Sequence, residues 1–254
     1  MNQKYLCVGT GCSRAWLACL LFMLASLSQA QETYGSSDAP LVAEVGDVQI
    51  HTSNPDEMAY VIKQLLIKRY IEDQKLQATD AAIAEFLDRK KIMMESNRLQ
   101  METRHAEIQQ ALASETLTAD ARARLEKERD ALYAMNRLMA AAEGRAGTAE
   151  SEAAEAFVAR SFIEQWKVNQ ALYRQYGGRV IFQQSGAEPL DAYRDFFRDA
   201  QKSGRFRIIN KEMEPALWSY YTTDNIHVFY PAAGSDKELA INTPWWMMDE
   251  TAQQ

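Results

Sequence analysis

The sequence predicts a mainly α protein: a helical body carrying a long antiparallel α-hairpin arm, with a small C-terminal α+β unit. Three observations predict it. From Pro55 onward apolar residues recur at helical spacing, and neither glycine nor proline interrupts the chain again until Gly144. Within that stretch Leu87, Met94, Met101 and Ile108 recur every seven residues. From Arg179 the chain changes to short β-prone, aromatic-rich runs punctuated by glycine and proline.

Residues 1–30 read as a cleaved signal peptide. Lys4 and Arg14 supply the charged region, residues 15–27 the apolar one, and Ser28-Gln29-Ala30 the small residues before a cut ahead of Gln31. The apolar run is shorter than the roughly 20 residues that span a bilayer, and no later segment is apolar enough to do so. A periplasmic or secreted mature protein with no stable membrane span is expected. Cys7, Cys12 and Cys19 all lie in this segment. The remainder therefore has no disulfide, no thiolate metal site and no cysteine nucleophile, and must be held by a hydrophobic core large enough to do without them. Of the 28 basic residues, removing Lys4 and Arg14 leaves 26 against 35 acidic ones, a net charge of −9. Such a surface repels nucleic acid and anionic headgroups, and neither is expected as a partner.

Residues 31–40 are small and polar and read as a flexible leader. Residues 41–50 hold two β-prone runs around a Gly46-Asp47 turn. Ser53-Asn54-Pro55-Asp56-Glu57 combines a capping side chain, proline at the first helical position and acids in the first turn. A helix follows with Met58, Val61, Ile62, Leu65, Leu66 and Ile71 on its apolar face. Thr79-Asp80 caps the next, which runs to about Ala113, so the first unit is a short β-hairpin plus helices over 41–82. A bend at 114–118 and the return of the period at Leu125, Leu132 and Met139 complete the arm over 83–147, a thin apolar seam of coiled-coil type in a charge-rich span. After Gly144 and Gly147, a core helix over 148–177 presents Val158, Phe162, Trp166, Leu172, Tyr173 and Tyr176 and ends at Gly177-Gly178. The α+β unit over 178–254 opens with a strand at 179–184. Next come a helix after Pro189, a strand at 206–209, a helical turn at 216–221, a third strand at 226–230 and an aromatic end at Trp245-Trp246.

No catalytic motif emerges from these residues. His51, His105 and His227 each lack a second histidine three or four residues away, so no helix offers a paired metal face. Alternating charges such as those at 126–130 are what a solvated helix face carries. Ser185-Gly186 and Gly177-Gly178 lack the neighbours of a nucleophile elbow or phosphate loop and read as turns. No cofactor and no metal are implied. Met93, Met94, Met101, Met135 and Met139 are the candidate peptide-binding residues. Methionine suits a surface that accepts varied apolar partners, and it equally fills a seam between helices, which is its commoner use. The aromatic group Trp218, Tyr220, Tyr221, Phe229, Tyr230, Trp245 and Trp246 reads as the interior of the small C-terminal unit.

Val42-Ala43-Glu44-Val45 with Ile50, then Leu65-Leu66-Ile67-Lys68-Arg69-Tyr70-Ile71, then Ala78-Thr79-Asp80-Ala81-Ala82-Ile83, resembles the N-terminal domain of SurA-type periplasmic chaperones and foldases. The resemblance covers residues 42–87. It implies a chaperone body in which the N-terminal segment packs with a later helix, here the one over 148–177, and in which parvulin-type isomerase domains are inserted or appended. A parvulin domain is not evident. The strand at 179–184 lacks the expected histidine, and too few residues separate it from the strand around His227. The function implied is a SurA-like chaperone or adaptor that binds unfolded or extended polypeptide, envelope proteins among its clients, without ATP. The competing readings are a divergent prolyl isomerase and a structural coiled-coil protein.

Overall fold

A computed structural model describes residues 32–248 except 37, 144–146, 233 and 234; the residues read as signal peptide lie outside the described residues. The fold is mainly helical, with seven α-helices among the described residues and small β elements at the base of the body.

Helix α1 (Pro55–Asp73) starts where its capping residues dictate. The Asn54 side chain accepts hydrogen bonds from the backbone N–H groups of Asp56 and Glu57, and Pro55 takes the first turn, where its missing N–H costs nothing. Beneath α1 lies a sheet ordered β1 (Thr33–Tyr34), β3 (Val48–His51), β2 (Leu41–Val45) and β6 (Phe206–Ile208). The β2–β3 turn uses Gly46 at φ +59°, where an added Cβ would stand 2.2 Å from the Arg69 guanidinium. Arg69 reaches over that turn to pair with Asp47 at 2.8 Å. Strand β1 falls in the stretch read as a leader. It pairs in parallel with β3 over two residues, too short a run to carry an alternation signal. Strand β6 pairs antiparallel with β2, Val45 opposite Phe206, so the sheet begun near residue 41 is completed about 160 residues later in the chain.

One continuous core results. Val42, Val45 and Ile50 of the sheet meet Met58 and Ile62 of α1, Leu172 of α4 (Ala149–Tyr176), Phe196 and Phe197 of α5 (Leu190–Lys202), and Leu217 of α6 (Glu214–Thr222). Burial of this apolar surface is the main stabilising contribution.

The arm comprises α2 (Asp80–Leu112) and α3 (Ala119–Glu143), with Thr79 capping α2 through Ala82 N–H. At 1.5 Å per residue α2 is about 50 Å long. Arg104 pairs with Glu128, His105 packs edge-on to Tyr133, and Arg122 donates to the carbonyl of Leu112, which sets an antiparallel register. Of the seam residues only Ile108 is fully buried; Leu87, Met94, Met101, Leu125, Leu132 and Met139 are half-buried, as a thin seam should be. The base of α2 packs antiparallel on α4 through Ile83, Phe86, Ala159 and Ile163, with Lys90 reaching Glu155 at 3.4 Å. Trp245 and Trp246 close this second cluster. They pack on Phe86 and Phe162 at the arm's base, as partly buried side chains that tie the C-terminal segment to α2 and α4.

Past α4, Gly177 and Gly178 turn the chain at positive φ. Gly178 lies so close to Asp191 that a Cβ would stand 2.5 Å from the Asp191 side chain. Asp191 there accepts from the backbone N–H, Nε and Nη2 of Arg179 and from Nη1 of Arg194. The strand read at 179–184 is β4 (Ile181–Gln183), and Ser185-Gly186 leads into β5 (Gly186–Glu188), which the sequence reading had only as a turn. The third strand expected at 226–230 is not formed as a strand. Residues Asp224–Ile226 make a turn of 3-10 helix, and the following segment touches β4 only at a bridge between Ile181 and Phe229. The period-two alternation is real, with Ile226 and Val228 exposed and His227 and Phe229 half-buried, but β4 is too short to extend the ladder. Helix α7 (Asp236–Asn242) adds Ile241 to a small cluster with Val180 and Ala187.

Candidate functional site

Two places on this frame have features that packing alone does not require. The first is the outer part of the arm with the adjoining end of α4. Of the candidate peptide-binding methionines, Met135 is 50% exposed, whereas Met93, Met94, Met101 and Met139 are half-buried. The most exposed apolar side chains in this region are ones the sequence reading did not single out: Ile92 (65%), Leu138 (68%) and Phe157 (70%), joined by Leu99. The Arg104–Glu128 and His105–Tyr133 pairings put Leu99 level with Met135 and Leu138 along the hairpin. The Lys90–Glu155 and Phe86–Phe162 contacts put Ile92 level with Phe157. Apolar side chains thus stand uncovered at two successive levels of the arm. Between them the surface is held by local ion pairs such as Arg98 with Glu95 and Glu102. The heptad from Leu87 to Ile108 marks the seam but not these residues; Ile92 and Leu99 keep a seven-residue spacing of their own, offset from the seam, which was the signal available for them.

The second place is a cavity of about 540 Å³ between α1, α4, the β4–β5 hairpin, α5 and α6. Each element presents one face to it. Helix α1 supplies Tyr60, Lys63, Gln64, Ile67 and Ile71 at spacings of three and four. Helix α4 supplies Ser161, Glu164, Gln165 and Asn169 in the same way. A hydrogen-bonded network forms the floor: the buried Tyr193 hydroxyl donates to Asn169 Oδ1 at 2.7 Å, Gln165 Nε2 donates to Asn169 Oδ1 and to that hydroxyl, and Asn169 Nδ2 donates to the Ala187 carbonyl. Complete satisfaction of such a network fixes its members in one arrangement. Glu188, at the end of β5, accepts from the Tyr220 hydroxyl at 3.1 Å, and Gln183 donates to that same hydroxyl. Lys63 lies over the rings of Tyr220 and Tyr221, 5.9 and 5.8 Å from their centroids.

The electrostatics of the cavity follow from burial. Burial pushes the Glu188 carboxyl above its ordinary range, against the opposing influence of the Tyr220 hydroxyl, His227 and Lys63. Burial likewise lowers the Lys63 ammonium, with Glu188 and Asp56 partly restoring it. Burial and the charge of Glu188 raise the phenol of Tyr221 well above its usual value. Glu164 is engaged elsewhere, accepting from the Ala78 N–H at 3.1 Å. Sequence reasoning missed this chamber because its lining comes from five separate elements. Only the aromatic crowding at Tyr220 and Tyr221 marked any part of it.

The three histidines are engaged in local contacts. His51 Nδ1 lies 2.9 Å from the Ala39 carbonyl, His105 packs on Tyr133, and His227 Nε2 lies 2.7 Å from the Tyr220 carbonyl, to which it can only donate. Among the described residues no group of three or more His, Cys, Asp or Glu side chains is placed to hold a metal, and no helix is long and apolar enough to cross a membrane. Comparison with known protein families, with curated proteins and with solved structures finds no match to this chain.

Proposed function

We propose that the protein is a binding protein for unfolded or extended polypeptide, working without ATP. More specifically, we read it as a SurA-like periplasmic chaperone or adaptor. The observation that carries the proposal is the exposure of five large apolar side chains, Ile92, Leu99, Met135 and Leu138 on the charge-rich arm and Phe157 on the adjoining end of α4. Large apolar groups left in water on an element with almost no core of its own suit the capture of apolar segments. The surrounding charge keeps the loaded complex in solution. The resemblance of residues 42–87 to SurA-type N-terminal domains and the signal-like residues 1–30 support the same reading. A prolyl-isomerase reading would draw on His227, whose Nε2 is already committed to the Tyr220 carbonyl.

The test is suppression of aggregation of a urea-denatured envelope β-barrel protein diluted into buffer. Ile92→Lys with Leu138→Lys should weaken suppression at least fivefold, about 1 kcal/mol on the affinity scale, with helix content unchanged by circular dichroism. Val228→Lys, at an exposed apolar position off the arm, should stay within twofold of the parent. An unchanged Ile92/Leu138 double variant contradicts the proposal.

A further inference from the structure

The cavity between α1, α4 and the C-terminal unit holds two opposite charges that are near enough to influence each other yet are not joined in an ion pair. Elsewhere on the body, the partly buried carboxylates are paired directly: Asp191 with Arg179 and Arg194, and Glu44 with the exposed Arg207. Lys63 has three N–H donors and, among the described residues, makes only the two contacts with tyrosine rings. Glu188 has one oxygen on the Tyr220 hydroxyl and the other without a hydrogen bond among the described residues. Gln165 gives its amide N–H group to the floor network and leaves its carbonyl oxygen uncommitted. Keeping a partly buried ammonium and carboxylate apart costs desolvation without the direct pairing that would offset it. A ligand carrying the complementary charges supplies that offset.

From this juxtaposition we propose that the cavity is a binding site for a small zwitterion of one or two amino-acid residues, its ammonium on Glu188 and the Gln165 carbonyl, its carboxylate on Lys63. The volume of about 540 Å³ falls within the roughly 300–1,000 Å³ of small-molecule sites. It exceeds what the two charged ends need, and the half-buried Ile67 and Ile71 offer an apolar wall for a side chain. The rigid floor under Tyr193 fixes the position of Gln165, so the site is formed before the ligand arrives. It is separate from the arm, and its occupancy is measured with no polypeptide client present, so it stands or falls independently of the chaperone reading.

Isothermal titration of the purified protein with L-phenylalanine and with the dipeptide Ala-Phe distinguishes the two ligand sizes. N-acetyl-Ala-Phe and Ala-Phe amide each remove one charge. At least one free zwitterion should bind, and each blocked form of it should bind at least tenfold more weakly. Glu188→Gln keeps an acceptor for Tyr220 and should abolish the preference for a free amine, leaving the preference for a free carboxylate. Lys63→Met should do the converse. Free and blocked forms that bind the parent equally, or no binding by either zwitterion up to about 10 mM, where an interaction would be worth under ~3 kcal/mol, overturn the proposal. The ligand series on the parent protein decides between these outcomes even if a variant fails to fold.

Discussion

Replacing Phe86 with alanine tests whether the arm's base, α4 and the C-terminal segment form one cooperative unit. Phe86 is 3% exposed. Its ring stacks on Phe162 at 5.9 Å and meets Trp245 and Trp246 edge-on at 6.0 and 4.9 Å. Removing a buried phenylalanine costs about 3–5 kcal/mol, a figure that already includes the lost aromatic contacts and the cavity left behind. The neighbours here are three large rings from two other segments, which cannot close the void without shifting α4 or residues 245–247. The upper half of the range is therefore expected, roughly 4 kcal/mol. For a protein of this size, at about 2–4 °C per kcal/mol, that lowers the Tm by about 8–16 °C. Thermal melts followed by far-UV circular dichroism and by tryptophan fluorescence provide the assay, since Trp245 and Trp246 report on this cluster directly. The control is Phe157→Ala: that ring is 70% exposed, and its loss should cost under about 0.5 kcal/mol. A Phe86→Ala loss below about 1 kcal/mol, or a fluorescence transition that moves while the dichroism transition stays, would refute the single cooperative unit.

Two further outcomes follow from the same geometry. Asp191 is held ionised: burial opposes its charge, but the hydrogen bonds from Arg179 and the charges of Arg194 and Arg179 outweigh it and depress its pKa. A depressed carboxylate pKa contributes stability above the unfolded value near 3.9 and loses it as pH falls through the folded value. Asp191→Asn should cost roughly 2–3 kcal/mol at pH 7, and the gap to the parent in urea melts should shrink from about pH 4 downward; a gap independent of pH contradicts the clamp. Ile108→Ala removes the one residue of the seam that is fully buried. It should speed hydrogen exchange along α2 and α3 by at least tenfold, given about 2–5 kcal/mol of local stability lost. Protection in β2, α1 and α5 should be unchanged, and a parallel loss there would make the arm part of the main core.

What was legible in the sequence was local. Asn54 and Thr79 announce their helices because a cap is satisfied by backbone groups two or three residues away. The seven-residue spacing from Leu87 to Ile108 reads as a seam because its partner helix returns after one short bend. The mainly helical class, the arm and the Gly177 stop were available on those grounds. What was hidden depends on long-range meetings. Nothing near Phe206 says that it pairs with Val45, and nothing near Trp245 says that it covers Phe86. Glu188 precedes a proline at the end of a three-residue strand and looks like any surface acid until α1 brings Lys63 beside it. The methionines were legible as arm residues. The half-burial of Met93, Met94, Met101 and Met139, against the exposure of Met135, Ile92, Leu138 and Phe157, depends on how α3 and α4 lie on α2.

Site-specific photo-crosslinking tests the central proposal most directly. A photoreactive amino acid is placed at Leu138, at Phe157 and at the exposed control position Arg207, and each protein is irradiated with a denatured envelope protein in the absence of ATP. The account predicts adducts from positions 138 and 157 that disappear once the client has folded, and none above background from 207. Adducts of equal yield from all three positions, or from 207 alone, would contradict it.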